Sequence, residues 1–278
     1  MRSCLLRGRD HWELGAVGAV AEGPAAIALS RGGAPKRYRH TDPNEDAALF
    51  ALGPGGMLIA VADGHNGAAA AEIALEGILA DRAPAWTAAA PAAASPTAWE
   101  EAGIEAVLAL NAAILAASEG PNGGPGPGAT TLCVALVRPA QDLGLYLITG
   151  DSHLFHADEG GVRELGSDLG SRRRATFLGR RSDGPAELRN NTVVACAPLT
   201  GIRAIVLATD GLSEQGIGVG DPAAAVHQAL AAATAAPPDR RALDGCKGVI
   251  AAALEAQRHN RAGDNAASAV LWLEGGSA

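Results

Sequence analysis

The sequence predicts an antiparallel α+β fold, on three observations: apolar runs of strand length come in groups, helical stretches are inserted in pairs, and no segment repeats at a fixed period. A parallel sheet would instead alternate one strand with one helix along the chain. The first strand is Ala25 to Leu29, and it runs into a Gly, Pro and basic loop from Arg31 to Arg39. Ala47 to Leu52 and Met57 to Ala62 flank the turn-forming Gly53, Pro54, Gly55 and Gly56, which predicts a hairpin. After Asp63 the pattern becomes helical over Ala68 to Leu79, with Ile73, Leu75, Ile78 and Leu79 available for a buried stripe.

Pro84 to Pro96 is dominated by Ala and Pro and reads as a surface insertion spanning about residues 84–98. A second helix is expected over Trp99 to Ser118, with an apolar face of Ile104, Val107, Leu108, Leu110, Ile114 and Leu115. Gly120 to Gly128 is an irregular Gly/Pro loop. Strands are then expected at Thr131 to Val137, Leu143 to Thr149, His153 to Ala157, Asn191 to Cys196 and Arg203 to Ala208. Among them, Ser171 to Ser182 carries five arginines and is either a solvated loop, the simpler reading, or a basic flap within about residues 167–190. Helices over Asp221 to Ala236 and Arg240 to Arg258 and a last strand, Ala267 to Leu273, complete a chain expected to form one domain over residues 1–278.

Composition narrows the function. Hydrophobic residues make up 48% of the 278, but aromatics only 3%, so the core must be built from Ala, Val, Leu and Ile. A net charge of -8 argues against nucleic-acid or anionic-membrane partners, which require a basic face. Cys4, Cys133, Cys196 and Cys246 form no Cys-x-x-Cys pair, so neither a zinc ribbon nor a dithiol redox site is signalled. No apolar run is long enough for a membrane span, and Met1 to Asp10 lacks the layout of a secretory signal. The expectation is a soluble, cytoplasmic monomer.

The chemistry is carried by acidic clusters at strand ends: Asn44-Glu45-Asp46, Asp63-Gly64-His65-Asn66-Gly67, Asp210-Gly211 and Asp264-Asn265. Carboxylates there can converge while staying open to water and cations, whereas in mid-strand they would be desolvated. Hard cations such as Mg²⁺ and Mn²⁺ take such oxygen ligands. Two cations a few ångströms apart need a shared anion between them, and Asp63 is the candidate, because Gly64 lets the backbone come close enough for its carbonyl to act as a further ligand. Cations so placed acidify a bridging water, whose hydroxide can attack phosphorus in line. Each cluster taken alone is an ordinary turn or cap; together they point to a two-cation site.

Six segments in this order resemble the metal-dependent, PP2C-like serine/threonine phosphatases of bacterial type: Pro-Asn-Glu-Asp-Ala at 43–47, Val-Ala-Asp-Gly-His-Asn-Gly at 61–67, Gly-Ala-Thr-Thr at 128–131, Thr-Gly-Asp-Ser-His at 149–153, Ala-Thr-Asp-Gly-Leu at 208–212 and Gly-Asp-Asn-Ala at 263–266. The resemblance implies two antiparallel sheets packed face to face with helices outside, acting on phosphorylated proteins with two Mn²⁺ or Mg²⁺ ions. It implies that Asp63 bridges the ions, that the Gly64 carbonyl, Asp210 and Asp264 complete one site, and that Glu45 serves the other. It further implies Asp46 as a ligand or a neighbour of one, Asp151 as the holder of a third, weaker ion, and His65 as the general acid.

Two positions depart from the family pattern. Thr41 stands where the family places a phosphate-binding arginine, which leaves Arg37, Arg39 or His40 for that role, with Arg39 preferred. His153 stands where arginine is common, which alters a local ion pair rather than the chemistry. Small residues at Gly128 to Thr131 are expected to permit close packing under the site rather than to act in catalysis. Two other readings remain open at this level: a regulatory binding module that keeps the fold without the activity, and a two-metal hydrolase of small phosphoesters.

Overall fold

The computed structural model describes residues 1–89, 95–117, 128–165 and 176–273. Two six-stranded sheets, antiparallel throughout, form the centre. The first has the order β1 (Arg2–Arg7), β4 (Ala47–Leu52), β5 (Met57–Ala62), β8 (Leu132–Arg138), β9 (Leu143–Thr149), β12 (Val193–Pro198). The second has the order β11 (Gly161–Glu164), β10 (His153–Asp158), β13 (Ala204–Ala208), β14 (Ala266–Trp272), β3 (Ala25–Ser30), β2 (Gly18–Glu22). A two-stranded ladder pairs β6 (Gly64–His65) with β7 (Ala129–Thr130).

Each sheet is covered on both faces, so its central strands are apolar at every position rather than at every second one. In β4, Ala48 and Phe50 join Ile27, Leu29, Ile59, Leu207 and Leu271 in the core between the sheets, while Ala47, Leu49 and Ala51 face outward. On that outer face the first sheet meets α1 (Ala69–Gly77) and α3 (Pro96–Ala117), through Leu75, Val107 and Ile114. The second sheet's outer face meets α5 (Pro222–Thr234) and α6 (Arg241–Asn260), through Val226, Leu230, Val249 and Leu254. The result is the expected helix–sheet–sheet–helix sandwich. Register cannot slip by one residue without exchanging these two faces, so the central strands are strongly specified.

Some local expectations are corrected. Residues 84–86 of the supposed surface insertion belong to the short helix α2 (Ala83–Trp86), and residues 96–98 open α3. Trp86 is buried and packs edge-on against Trp99 at 4.8 Å, and the buried Arg138 donates to its carbonyl at 2.7 Å. The strand expected at Asn191 to Cys196 begins only at Val193, because 185–191 form the helix α4 (Pro185–Asn191). In the basic segment, Arg172, Arg173 and Arg174 lie outside the described residues, but Thr176 to Leu178 are buried rather than solvated. Leu178 pairs with Thr130 through two backbone hydrogen bonds of 2.9 Å. The loop expected at Gly120 to Gly128 also lies almost wholly outside the described residues.

Candidate metal centre and active site

One end of the sandwich gathers the acidic clusters, and the register explains why. Ala47 pairs with Ala62, so Asp46 entering β4 and Asp63 leaving β5 emerge side by side from the first sheet. Ala208 pairs with Ser268, so Asp210 just after β13 and Asp264 just before β14 do the same from the second. Thr209 joins the two ends: its hydroxyl donates to Asp46 Oδ2 at 2.7 Å and accepts from Ala267 N at 2.9 Å. Asp151, in the turn between β9 and β10, adds an exposed carboxylate. Carboxylate oxygens of Asp63, Asp151 and Asp210 all lie within 4.8 Å of one another.

Beside them lies a cavity of about 260 Å³ lined by Glu45, Asp63, Gly64, His65, Asp210 and Asp264, with Lys36, Tyr38 and Arg39 from the 31–43 loop. Gly64 is required by close approach: a Cβ there would overlap the Glu45 carbonyl oxygen. Asn66, at φ 66°, and Gly67, at φ 133°, then turn the chain sharply toward α1. His65 Nε2 lies 3.2 Å from Asp63 Oδ2 but out of hydrogen-bond alignment. The His65 ring packs edge-on against Phe177 at 4.6 Å. The expected clamp residues separate: Arg39 reaches the cavity, Arg37 is exposed and does not line it, and His40 Nδ1 lies 3.1 Å from the Tyr38 carbonyl oxygen.

Electrostatically, the cluster is under tension. Burial raises the Asp63 pKa well above its ordinary value, and the charges of Asp210, Asp46 and Asp264 raise it further. Asp210 is raised by burial and then by Asp264 and Asp151. Asp46 is pushed up to about 7, chiefly by burial and Asp264, against the opposing hydrogen bond from Thr209. Its other oxygen, Oδ1, is buried with no hydrogen-bond partner among the described residues. Burial also lowers the His65 pKa, with Asp151 acting in opposition. A converging all-oxygen donor set, mutually repelling carboxylates and an orphaned carboxylate oxygen together fit hard divalent cations.

The family model for protein phosphatase 2C matches residues 33–243, about three-quarters of the chain. The chain belongs to the protein phosphatase 2C family. None of the curated proteins compared matches its sequence. Solved structures do share the phosphatase 2C fold. A bacterial serine phosphatase is 17% identical at TM-score 0.66, over 92% of this chain and 100% of its own. Serine/threonine phosphatase Stp1 from Staphylococcus aureus is 18% identical at TM-score 0.61, over 95% and 98% respectively. The catalytic domain of the phosphatase PstP, solved in complex with two manganese ions, is 18% identical at TM-score 0.58, over 92% and 100%.

Within this phosphatase 2C chain, several supporting residues escaped the sequence reading. Thr130 and Thr131 do more than permit close packing. The Thr130 hydroxyl and the Thr131 N–H both donate to the Asp63 carbonyl, at 2.8 and 3.0 Å, while Thr131 Oγ1 accepts from Asp63 N at 3.0 Å. Asn265 accepts from Glu45 N at 2.8 Å and donates to the carbonyls of Arg31 and Pro43, tying both ends of the 31–43 loop to β14. Gln257 of α6 accepts from Gly33 N at 2.7 Å and donates to the Gly211 carbonyl at 2.9 Å, bracing the turn that carries Asp210. Gln257 had a visible signal: a polar side chain on the buried stripe of Val249, Ile250, Ala253 and Leu254. Lys36 and Tyr38 had none, because only the course of the loop brings them to the carboxylates.

Proposed function

We propose that this chain hydrolyses phosphoserine and phosphothreonine esters of proteins with two Mn²⁺ or Mg²⁺ ions. The observation that carries the reading is the convergence of Asp63, Asp151 and Asp210 at the sandwich end, where Asp63 and Asp210 line one cavity with Glu45 and Asp264. Asp63 would be the shared ligand, with Asp210, Asp264 and the Gly64 carbonyl holding one ion and Glu45 the other. Asp46 stands behind Asp63, and Asp151 at the exposed margin is suited to a weaker, third ion. When bound, the ions supply an acidified water as nucleophile and positive charge against the phosphoryl oxygens.

The protein's own groups do the rest. Thr130 and Thr131 fix the Asp63 backbone, so its carboxylate needs little reorganisation when charge arrives. Arg39, on the cavity margin, orients the phosphoryl group through its guanidinium fork. His65 hands a proton to the departing serine or threonine oxygen, and its packing on Phe177 aims the ring. The lowered His65 pKa confines that donation to the acidic side of neutrality.

Turnover of p-nitrophenyl phosphate and of a phosphothreonine peptide, measured with Mn²⁺ and with chelator, tests the reading. Both substrates should turn over only with metal, and Asp63→Asn or Asp210→Asn should abolish both. Turnover of the small ester alone would redirect the assignment to small phosphoesters. Cation binding without any turnover would mark a binding module instead.

A further inference from the structure

Lys36 is a cation already in the acidic site. Its Nζ lies 3.4 Å from Glu45 Oε2 and 3.6 Å from Asp264 Oδ1, and its side chain is only 5% exposed. The ammonium also sits 5.1 Å from the centre of the Tyr38 ring, within cation–π range. Tyr38 in turn donates its hydroxyl to Asp264 Oδ1. The backbone holds Lys36 here by more than the ion pairs. Lys36 forms a parallel bridge with Gly263, and Gly263 N donates to the Pro35 carbonyl at 3.2 Å. A side chain at 263 would overlap the Ala34 carbonyl oxygen, so the glycine beside Asp264 is what lets the lysine strand approach.

The two halves of the site therefore differ. Glu45 and Asp264 have an ammonium between them, whereas Asp63, Asp151 and Asp210 face one another and, among the described residues, none of them pairs with a lysine or arginine. We infer that Lys36 sets the cation affinity of this site: its ammonium neutralises Glu45 and Asp264 in the metal-free protein and must be displaced from Glu45 before the second divalent ion enters. An ammonium and a divalent cation a few ångströms apart repel strongly, so they cannot share the same two carboxylates. Loading is accordingly ordered. The ion held by Asp63 and Asp210, which keep clear of the ammonium, fills first and tightly, and the ion that depends on Glu45 second and weakly.

This inference rests on the two-cation reading above, and the test separates the two. Mn²⁺ would be titrated into chelator-stripped wild type and the Lys36→Met, Lys36→Gln and Lys36→Arg variants, with calorimetry and the spin resonance of free Mn²⁺ counting sites and affinities. Wild type should show two unequal sites. The two neutral variants should tighten the weaker site by about tenfold or more and leave the stronger one within about twofold, while Lys36→Arg keeps the weak site weak. In chelator the neutral variants should melt below wild type, since Glu45 and Asp264 lose their counter-charge, and saturating Mn²⁺ should erase that difference. If wild type binds two ions but neither neutral variant tightens the weaker site, the Lys36 inference is overturned and the phosphatase reading stands. If wild type binds no more Mn²⁺ than Asp63→Asn, both fall.

Discussion

Two buried polar regions of this molecule are built on opposite principles. Between the sheets, His156 of β10 meets Tyr146 of β9, Nε2 to hydroxyl at 2.7 Å, and both side chains are buried in an otherwise apolar core. At the sandwich end, Asp46 and Asp63 are buried and Asp210 half-buried, all beside other carboxylates. In the first region each group has a neutral partner, so burial resolves into a hydrogen bond and contributes to stability. In the second, burial leaves like charges facing one another, which destabilises the metal-free fold and stores affinity for a cation. A polar group that the fold satisfies by itself is structural, whereas one left in tension marks where an external partner belongs.

The largest effect expected from breaking this contrast is at the acidic end. Asp63→Asn or Asp210→Asn should lower metal-dependent turnover by about a thousandfold or more, since in the proposed reaction the cations would supply both the nucleophile and charge stabilisation. The same substitutions should raise the melting temperature in chelator by removing one repelling charge, and should weaken the stabilisation that Mn²⁺ gives wild type. A destabilised variant would show instead that these carboxylates serve the fold.

Removing the metal should also invert the usual pH dependence. The folded-state pKa of Asp46 is raised from 3.8 to about 7, so the folded protein holds a proton that the unfolded chain releases. Its contribution is fully present below pH 4 and is lost as pH rises through about 7, a change of a few kcal/mol at most. Asp63 and Asp210 shift in the same direction. Urea unfolding in chelator should therefore give lower stability at pH 7.5 than at pH 5.5, and saturating Mn²⁺ should flatten or reverse the slope.

At the neutral pair the sign is opposite. Burial, helped by Arg163, lowers the His156 pKa from 6.5 to about 4, so its contribution is present above pH 6.5 and is lost as pH falls toward 4. His156→Phe should remove this part of the acid-side loss. At pH 7.5 it should cost about 1–3 kcal/mol, because the buried Tyr146 hydroxyl is left without its partner. Unfolding curves of both proteins at pH 7.5 and 5 measure the two effects.

The smallest expected effect sharpens the comparison where the regions touch. Thr209→Val removes the hydroxyl that links Asp46 to β14, at a cost of about 1–2 kcal/mol. In chelator part of that loss should be offset at acidic pH, where Asp46 is protonated and needs the donor less. A loss independent of pH would place the role of Thr209 in the strand pairing alone.

Elements with apolar neighbours on both faces were the legible ones. The β4–β5 hairpin and β9 fall where their apolar runs and bounding turns put them, Ala47–Leu52, Met57–Ala62 and Leu143–Thr149. The sheet edges were not legible. β1, β2 and β11 are half-exposed, so their residues are too mixed in polarity to stand out as strands. The helix α4 was hidden because it buries essentially one residue, Leu188. Trp86 lay in a stretch whose Ala and Pro content read as surface, and its partners, Trp99 and Arg138, come from distant parts of the chain.

The sequence by itself determined the strand-end placement of Glu45, Asp46, Asp63, Asp210 and Asp264, because a strand's apolar run and the polar residue that ends it are both local features. It also determined, through Gly64, that the backbone could close on itself there. Only the tertiary structure decided that these carboxylates share one end of one sandwich, that Asp46 is buried behind Asp63, and that Lys36 rather than a loop arginine stands between Glu45 and Asp264. Those outcomes depend on which strands pair, in which register, and on how Gly263 and Asn265 steer a loop more than 200 residues away in sequence. Chain periodicity carries no information about such meetings, because it records which face a residue occupies and not what lies across from it.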